Sequence, residues 1–316
     1  MARARLVAVV ALLASGVVAS ASAAPAIGEQ RVLIVLATPG SKPYSVADVQ
    51  QVASAAAAFY QKSSFGQLHL RVDVTPWLTA FASDPGCRVV SQTTLDTLMR
   101  PARLAAEAAG YAPTDYDEVM YNVADSHCGF WGTTYGHEVL LTREPNLELL
   151  LHELGHTFGL GHSRASACAI ECNVVDPGDP FSPMGTGEQL IDFSAYEKVV
   201  LGWLPEPRHV SADGRFTLAP ARTAGKTARA VIVDSALGEF WLEYVARPFR
   251  GLLVRFVDAL HPIPPFSPAA ILITNPTHKG RDWIALGETF RLNQIFKVRL
   301  LTAGAQQAEI RIWMTG

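Results

Sequence analysis

The sequence has few charged residues and no run of basic ones. Asp, Glu, Lys and Arg together make up 17% of the 316 residues, and the formal net charge is −3. Without a basic patch there is no electrostatic footprint for a phosphate backbone, so nucleic acid is not expected as a partner. The chain also lacks internal repeats and low-complexity tracts, and hydrophobic residues make up 49% of it. These features exclude collagen-like, coiled-coil and disordered classes and predict a globular protein.

Long apolar runs are missing after the first twenty residues. At the start, Arg3 and Arg5 precede an apolar stretch over 6–19, and small residues follow up to Ala23. This order is typical of a secretory signal peptide, so we expect residues 1–23 to be removed. The stretch is shorter than the ~20 residues that cross a bilayer, which disfavours the alternative of an uncleaved anchor. We expect a secreted protein, extracellular or periplasmic, without stable membrane insertion.

Cysteine is scarce, and no two cysteines have the Cys-x-x-Cys spacing of a cysteine zinc site. In an oxidising compartment, an even number of cysteines predicts two disulfides. Four cysteines allow three connectivities. We favour Cys87 with Cys128 and Cys168 with Cys172.

Hydrophobic periodicity divides the mature chain into two regions. In 24–208, a buried strand at 32–36, an alternating strand at 68–74 and helical spacing at 45–62 indicate mixed α and β structure. From residue 209 on, short strand-like runs separated by Gly, Pro, Asn or Asp predict an antiparallel β-sandwich. We therefore expect an α+β fold, with a mixed twisted sheet and helices in 24–208 and an accessory β-sandwich domain in 209–316.

The segment 147–162 carries a pattern with specific chemistry. On a helix, one side carries His152, Glu153 and His156, and the opposite side carries apolar residues, namely Leu147, Leu150, Leu151, Leu154 and Phe158. Two histidines four residues apart lie one turn above the other, so both imidazoles can reach a single metal ion. Glu153 projects beside them without having to be a ligand.

The pattern continues past the helix. Gly159 is expected to end the helix in the left-handed conformation, and this turn brings His162 round as a third ligand. Three neutral imidazoles leave an open coordination position for water, as in catalytic zinc sites. We therefore expect one catalytic Zn²⁺ held by His152, His156 and His162, with Glu153 as the general base that takes a proton from the zinc-bound water.

The complete pattern, His-Glu-x-x-His-x-x-Gly-x-x-His, resembles the extended motif of the metzincin zinc metallopeptidases at every defined position. Metzincins also carry a methionine turn below the zinc, and Met184, between Pro183 and Gly185, looks like that methionine. Within this group the chain is most similar to the gametolysin-like secreted peptidases. The stretches that carry this likeness are 59–68, 74–77, 116–132, 197–203 and 242–244.

The resemblance implies a secreted zinc metalloendopeptidase whose protein or peptide substrate lies extended along an edge strand near 132–135. His137, close to that strand, is expected to be solvated or to lie behind a metal ligand, and not to contact substrate. The chain departs from the family in two ways. No pro-segment fits before the first strand, so a cysteine-type latency switch is not expected. Thr186 stands where some metzincins have a tyrosine ligand, so a fifth ligand is not expected either.

Two other functions remain open. One is a catalytically silent secreted binding protein on the same fold, with the sandwich as its adhesive surface. The other is a zinc amidase that acts on a non-protein amide. The complete set of three ligands and Glu153 favours the endopeptidase. The sequence does not decide side-chain specificity, calcium binding or oligomeric state.

The cysteines provide a first test. In the mature protein, thiol titration under denaturing conditions should find no free thiol, because both expected bridges would be oxidised after export. The same titration after reduction is the control and should find all four cysteines. Four reactive thiols without reduction would contradict the disulfides and, with them, the expected localisation.

Overall fold

The computed structural model describes residues 25–86, 92–124 (backbone alone at 92–95), 126, 128–167, 173–257, 270–277, 279–292 and 294–315. The expected signal peptide at 1–23 lies outside these residues, as do Cys87, Cys168 and Cys172. The one described cysteine, Cys128, is disulfide-bonded. Its partner is not among the described residues, so the pairing stays a prediction.

The first half of the chain builds a mixed sheet. Its strands are β1 (Gly28–Thr38), β2 (Leu68–Val74), β3 (Leu78–Thr79), β4 (Glu118–Val123), β5 (Gly132–Tyr135) and β6 (Glu138–Leu141). The order is β2-β1-β4-β6-β5, with β3 also beside β1. All neighbours run parallel except β5, which is antiparallel to β6 and forms one edge of the sheet.

Helices cover both faces of this sheet. They are α1 (Val46–Ser63), α2 (Gln92–Ala108) and α3 (Leu147–Thr157), with a 3₁₀ turn at Pro113–Asp115. A short fourth helix, α4 (Ala195–Val200), buries Ala195 and Tyr196 in a separate core cluster. The apolar run of β1 alternates between the two faces. Val32 and Ile34 pack in the same core cluster as α1 and α3, whereas Leu33 and Val35 pack with α2. The sheet is therefore buried on both sides, as is usual for parallel sheets.

Both ends of α3 are capped by local chemistry. The Asn146 side chain accepts a hydrogen bond from the Leu149 N–H at 2.8 Å. At the other end Gly159 has φ of 88°, in the left-handed region. The Leu160 N–H donates to the Gly155 carbonyl at 3.0 Å, which completes a Schellman-type ending. The helix thus ends where the glycine was expected to end it.

The rest of the chain builds two further sheets. One has seven strands in the order β8-β7-β14-β13-β12-β11-β9, and the other has four in the order β10-β17-β16-β15. In chain order the strands are β7 (Arg164–Ser166), β8 (Val174–Val175), β9 (Arg208–Val210), β10 (Gly214–Leu218), β11 (Ala230–Ser235), β12 (Gly238–Val245), β13 (Gly251–Val257), β14 (Ile271–Ile273), β15 (Thr289–Leu292), β16 (Phe296–Ala303) and β17 (Ala308–Met314). The chain is therefore α+β, as predicted from the sequence.

The two sheets share one apolar core, to which Phe240 and Phe256 of the larger sheet and Phe296 and Ile310 of the smaller sheet belong. The expectation of a purely antiparallel sandwich is wrong in one detail, because β9 runs parallel to β11. The larger sheet also takes in β7 and β8, which precede the expected domain boundary, and β7 runs parallel to β14. The boundary between residues 208 and 209 stays a prediction.

A buried ion network joins the larger sheet to the loop after β8. Arg255 on β13 is 2% exposed and donates to Asp179 Oδ2 through Nη2 at 2.8 Å and Nε at 3.1 Å. Its Nη1 donates to Glu243 on β12. Glu243 also accepts the Ala195 N–H, at the start of α4, at 2.6 Å. One guanidinium therefore fixes the sheet, the loop and the helix relative to one another.

No helix among the described residues is both long enough and apolar enough to span a bilayer.

The buried network leads to a stability prediction. Arg255→Met should lower the free energy of unfolding by ~3–5 kcal/mol, because Asp179 and Glu243 would be left buried without a counter-charge. Urea denaturation followed by circular dichroism measures the change. The control is Arg215→Met, which removes an exposed ion pair with Glu309 and should cost less than ~1 kcal/mol. Equal losses in the two variants would contradict the structural role of Arg255.

Candidate metal centre and active site

Three imidazoles converge beside α3. His152 and His156 lie one turn apart on the helix, and His162 follows the turn at Gly159. Their ring centroids are 4.6 Å apart for His152 and His156, 5.2 Å for His152 and His162, and 5.0 Å for His156 and His162. One nitrogen of each ring lies within 4.8 Å of those of the other two. The structure therefore brings together the three residues that the sequence predicted as metal ligands.

The partners of the two helical histidines fix which nitrogen faces inward. His152 Nδ1 lies 2.8 Å from the Pro183 carbonyl oxygen, and His156 Nδ1 lies 2.9 Å from that of Leu160. A carbonyl oxygen can only accept, so each Nδ1 carries the hydrogen and each Nε2 carries a lone pair. The two Nε2 atoms face each other at 3.0 Å. Such facing lone pairs repel unless a cation lies between them.

The third histidine has a charged partner. His162 Nδ1 donates to Asp176 Oδ1 at 2.6 Å, which leaves Nε2 for a ligand. The other oxygen of Asp176 accepts from Arg164 Nε on β7 at 2.8 Å. A carboxylate behind a histidine both orients the ring and makes it a stronger donor, as in many zinc sites.

Burial keeps the helical histidines neutral. It lowers the pKa of His152 to about 4, and it lowers that of His156 to about 3, with a further contribution from the neighbouring His152. Three imidazole nitrogens at these separations are a donor set that suits Zn²⁺, and no other side chain is needed to complete it. The residues present thus fit a zinc ion with an open coordination position.

Glu153 follows His152 on α3 and is enclosed by neighbouring residues, next to the three histidines His152, His156 and His162, called the triad below. Its side chain is buried and accepts a hydrogen bond from the Thr134 hydroxyl of β5 at 2.6 Å. Burial raises its pKa to about 7, against the opposing effect of that hydrogen bond. A Cβ at position 132 would collide with the Glu153 carboxylate, so Gly132 leaves the space that the carboxylate occupies. The carboxyl group therefore has a fixed position and a raised affinity for a proton.

Met184 lies directly under α3. It is fully buried, and its sulfur fills the space where a side chain on Gly155 would stand. Its carbonyl oxygen accepts from the Ser163 N–H at 2.7 Å. The adjoining Asp179 accepts hydrogen bonds from the Ser163 hydroxyl at 2.9 Å and the Phe181 N–H at 2.8 Å, besides those from Arg255. The loop that holds the Pro183 carbonyl against His152 is thus fixed by buried polar contacts.

The triad and Glu153 line one open cleft with a volume of about 720 Å³. Its other lining residues come from four places: 131–134 on and before β5, the first turns of α3, Pro177, and the segment 183–188 that contains Met184. Thr133 and Thr134 bring the edge strand to the cleft. An extended chain entering here would lie beside the unpaired side of β5.

No known protein family matches the chain, and no curated protein matches it. Among solved structures, one described as "Structure of a chaperone-substrate complex" is similar over 54% of this chain and 30% of its own, at 14% identity and a TM-score of 0.33. A likeness of this size carries no argument about fold or function.

Two histidines outside the triad differ from it. His137 has a side chain that is 75% exposed, bonds to Glu118 Oε1 at 3.1 Å and does not line the cleft, in agreement with a solvated histidine. His209 forms a group with Asp234 and Glu239 on the sandwich, where the sequence suggested no chemistry. This group is largely exposed, and its contacts are ordinary surface ion pairs.

Sequence reasoning missed the residues that support the site: Thr134, Asp176, Asp179 and Arg255. A usable signal existed for Asp176, which is one of few acidic residues between His162 and the methionine segment, where a carboxylate behind a ligand is common. Arg255 gave none, because it is 76 residues from Asp179 in the chain.

The Asp176 contact leads to a prediction about metal affinity. Asp176→Ala should weaken zinc binding by ~10- to 100-fold, because His162 loses the group that orients its ring and strengthens its donor nitrogen. Competition with a chromophoric chelator at fixed pH measures the dissociation constant. Asp234→Ala is the matched control, since it removes the partner of His209 at 2.9 Å, away from the triad. Equal affinity in both variants would exclude this role for Asp176.

Proposed function

We propose that this protein is a secreted zinc-dependent endopeptidase of the metzincin type, similar to the gametolysin-like peptidases. One observation carries the proposal. The Nδ1 atoms of His152, His156 and His162 are all engaged by acceptors, so the three Nε2 atoms converge as metal donors beside the buried carboxylate of Glu153. Histidines on a solvated helix face would not be expected to have every Nδ1 held by an acceptor and every Nε2 directed at one point.

The surroundings of the triad support the same proposal. The helix that carries two of the ligands packs against a mostly parallel sheet whose antiparallel edge strand, β5, borders the cleft. Met184 lies beneath the ligands, at the position that the likeness to metzincins assigns to it. These are features of a peptidase cleft and are compatible with an extended substrate.

In this proposal, His152, His156 and His162 hold the metal. When bound, zinc supplies Lewis acidity, which lowers the pKa of a coordinated water and stabilises negative charge on the substrate carbonyl oxygen.

Glu153 is the group that moves protons. Its carboxylate lies beside the ligands and is held by Thr134, so its position is defined before the substrate arrives. It accepts a proton from the attacking water and passes it to the departing amine, so that one carboxylate serves both steps. Burial keeps competing water away from this carboxyl group.

The edge strand positions the substrate. Among the described residues β5 pairs with β6 on one side only, so its other side offers backbone N–H and C=O groups to a peptide. Main-chain hydrogen bonds of this kind hold the scissile bond near the metal ligands whatever the side chains. The substrate class is therefore a protein or peptide in extended conformation.

A pair of variants tests the function. Glu153→Gln keeps the shape and the metal ligands but cannot accept a proton, so peptide turnover should fall by at least ~10²- to 10⁴-fold with zinc content unchanged. His156→Ala should lose both turnover and zinc, because it removes a ligand. The measurements are cleavage of a diverse peptide library and metal analysis on the same preparations.

Three outcomes decide the proposal. Wild-type protein without bound zinc, or a Glu153→Gln variant that cleaves at the wild-type rate, would contradict the mechanism. Zinc-loaded wild type that cleaves no peptide would favour a binding protein or an amidase on the same fold.

A further inference from the structure

The outer face of the smaller, four-stranded sheet is basic. Burial alternates along β10, β15, β16 and β17, so the side chains that do not pack in the core lie together on one surface. This surface is called the basic face below, and its cations are Arg215, Arg291, Lys297, Arg299 and Arg311. These residues form no run in the sequence, so only strand pairing brings them together.

The register of the sheet places the cations directly opposite one another. Arg311 on β17 is the cross-strand partner of Arg215 on β10 and, on its other side, of Arg299 on β16. Lys297, the next outward residue of β16, is the partner of Arg291 on β15. The Cβ atoms of directly opposite residues are about 5 Å apart, and like charges at such positions destabilise a sheet. The arrangement therefore costs stability unless a ligand of opposite charge compensates it.

The protein itself neutralises little of this charge. Glu309 on β17 pairs with Arg215, whose Nη1 lies 3.1 Å from Glu309 Oε1. Arg291, Lys297 and Arg299 form no ion pair and no side-chain hydrogen bond with any residue that the structure describes. These three cations are thus available to an anionic ligand.

An aromatic ring belongs to the same surface. Trp313 is the cross-strand partner of Lys297, and Arg311 Cζ lies 4.9 Å from the centre of the Trp313 ring. All residues of the four strands are described, and none of their large apolar side chains is strongly exposed. The surface therefore offers no apolar anchor for a lipid bilayer. A partly exposed ring between cations suits a polymer that has both a flat apolar surface and negative charge.

The spacing of the cations favours an acidic polysaccharide. Neighbouring strands are about 4.8 Å apart, which is close to the length of one pyranose unit in an extended polysaccharide. A chain that crosses β10, β17 and β16 would meet Arg215, Arg311 and Arg299 at successive sugars. Guanidinium groups bind carboxylate or sulfate groups through two parallel hydrogen bonds. The phosphates of an extended nucleic acid strand are farther apart than neighbouring strands of a sheet.

We propose that the basic face binds an extended acidic polysaccharide, with carboxylate or sulfate groups on successive sugars, across the strands of the smaller sheet. Among the described residues that line the cleft, none belongs to these four strands. The inference therefore goes beyond the proposed peptidase function and does not depend on it. Each exposed ion pair contributes a modest factor, roughly 1.5- to fivefold, and salt weakens it.

The test measures binding of the full-length mature protein to fluorescently labelled dextran sulfate, oligogalacturonate and neutral dextran by fluorescence anisotropy. We expect both acidic polymers to bind, with an affinity that falls as salt is added, and neutral dextran not to bind. Arg291→Gln/Lys297→Gln/Arg299→Gln should weaken binding of the acidic polymers about tenfold, because three ion pairs of this size are lost.

The matched control is Lys42→Gln/Lys62→Gln/Arg71→Gln. It changes the net charge by the same amount, at exposed positions in the first half of the chain. It should keep the wild-type affinity to within about twofold, because these cations do not belong to the basic face. The single variant Arg299→Gln should weaken binding by roughly 1.5- to fivefold, and it keeps the test valid if the triple variant does not fold.

Two kinds of result overturn the proposal. One is the absence of binding to both acidic polysaccharides at low salt, or an equal loss of affinity in the two triple variants. The other is tighter binding of a single-stranded DNA oligomer, or of phosphatidylserine vesicles, than of either acidic polysaccharide. Because these measurements require no turnover, they give the same answer whether or not the protein cleaves peptides.

Discussion

The buried guanidinium of Arg255 connects the parts of this protein that the chemistry needs. It lies between Asp179, in the loop under the metal ligands, and Glu243, which also holds the first turn of α4. A charge buried in this way is tolerated only when its partners are fixed at short distance. The loop that contains Asp179 therefore cannot shift relative to the sandwich without exposing a buried charge or leaving it without its counter-charge. The sandwich is in this sense part of the support of the site and not only an appended domain.

The orientation of His152 depends on that same loop. Ser182, next to the Pro183 whose carbonyl accepts from His152, donates to the buried Glu197 at 2.7 Å and accepts the Met184 N–H at 3.0 Å. Burial raises the pKa of Glu197. Several hydrogen bonds of the loop thus lie in low-dielectric surroundings, where each is stronger and each loss is costly. The helix supplies two of the three imidazoles, and the loop decides which nitrogen of His152 faces the other rings.

The cleft contains two carboxylates of one helix in different surroundings. Glu153 is enclosed by Gly132 and Thr134 of the edge strand, so its burial and its neighbours come from the sheet rather than from its own helix. Glu148, on the same helix one turn earlier, remains exposed and without a partner in the described part of the chain. The same helix therefore carries one carboxylate that is buried and hydrogen-bonded and another that is exposed. The difference between the two carboxylates is one of surroundings.

Local patterns in the sequence determined a large part of this structure. The helical period placed His152, Glu153 and His156 on one face, and Gly159 adopts the left-handed conformation because a residue without Cβ does so at little cost. The alternation in β2 and the apolar run of β1 likewise follow from the period of a strand. The signal peptide expected at 1–23 lies outside the described residues and stays a prediction. Cys128 is oxidised, but its pairing rests on residues outside those described.

Only the tertiary structure decided which distant residues support the site. Asp176, Asp179 and Arg255 have no spacing relation to the ligands, and they meet because β7 and β13 join the same sheet on either side of β14. The parallel pairing of β9 and the meeting of Glu148 with the segment before Glu188 are of the same kind. Periodicity and steric preference act over a few neighbours in the chain, whereas these contacts depend on how separate elements pack, and a single sequence carries no signal of that packing.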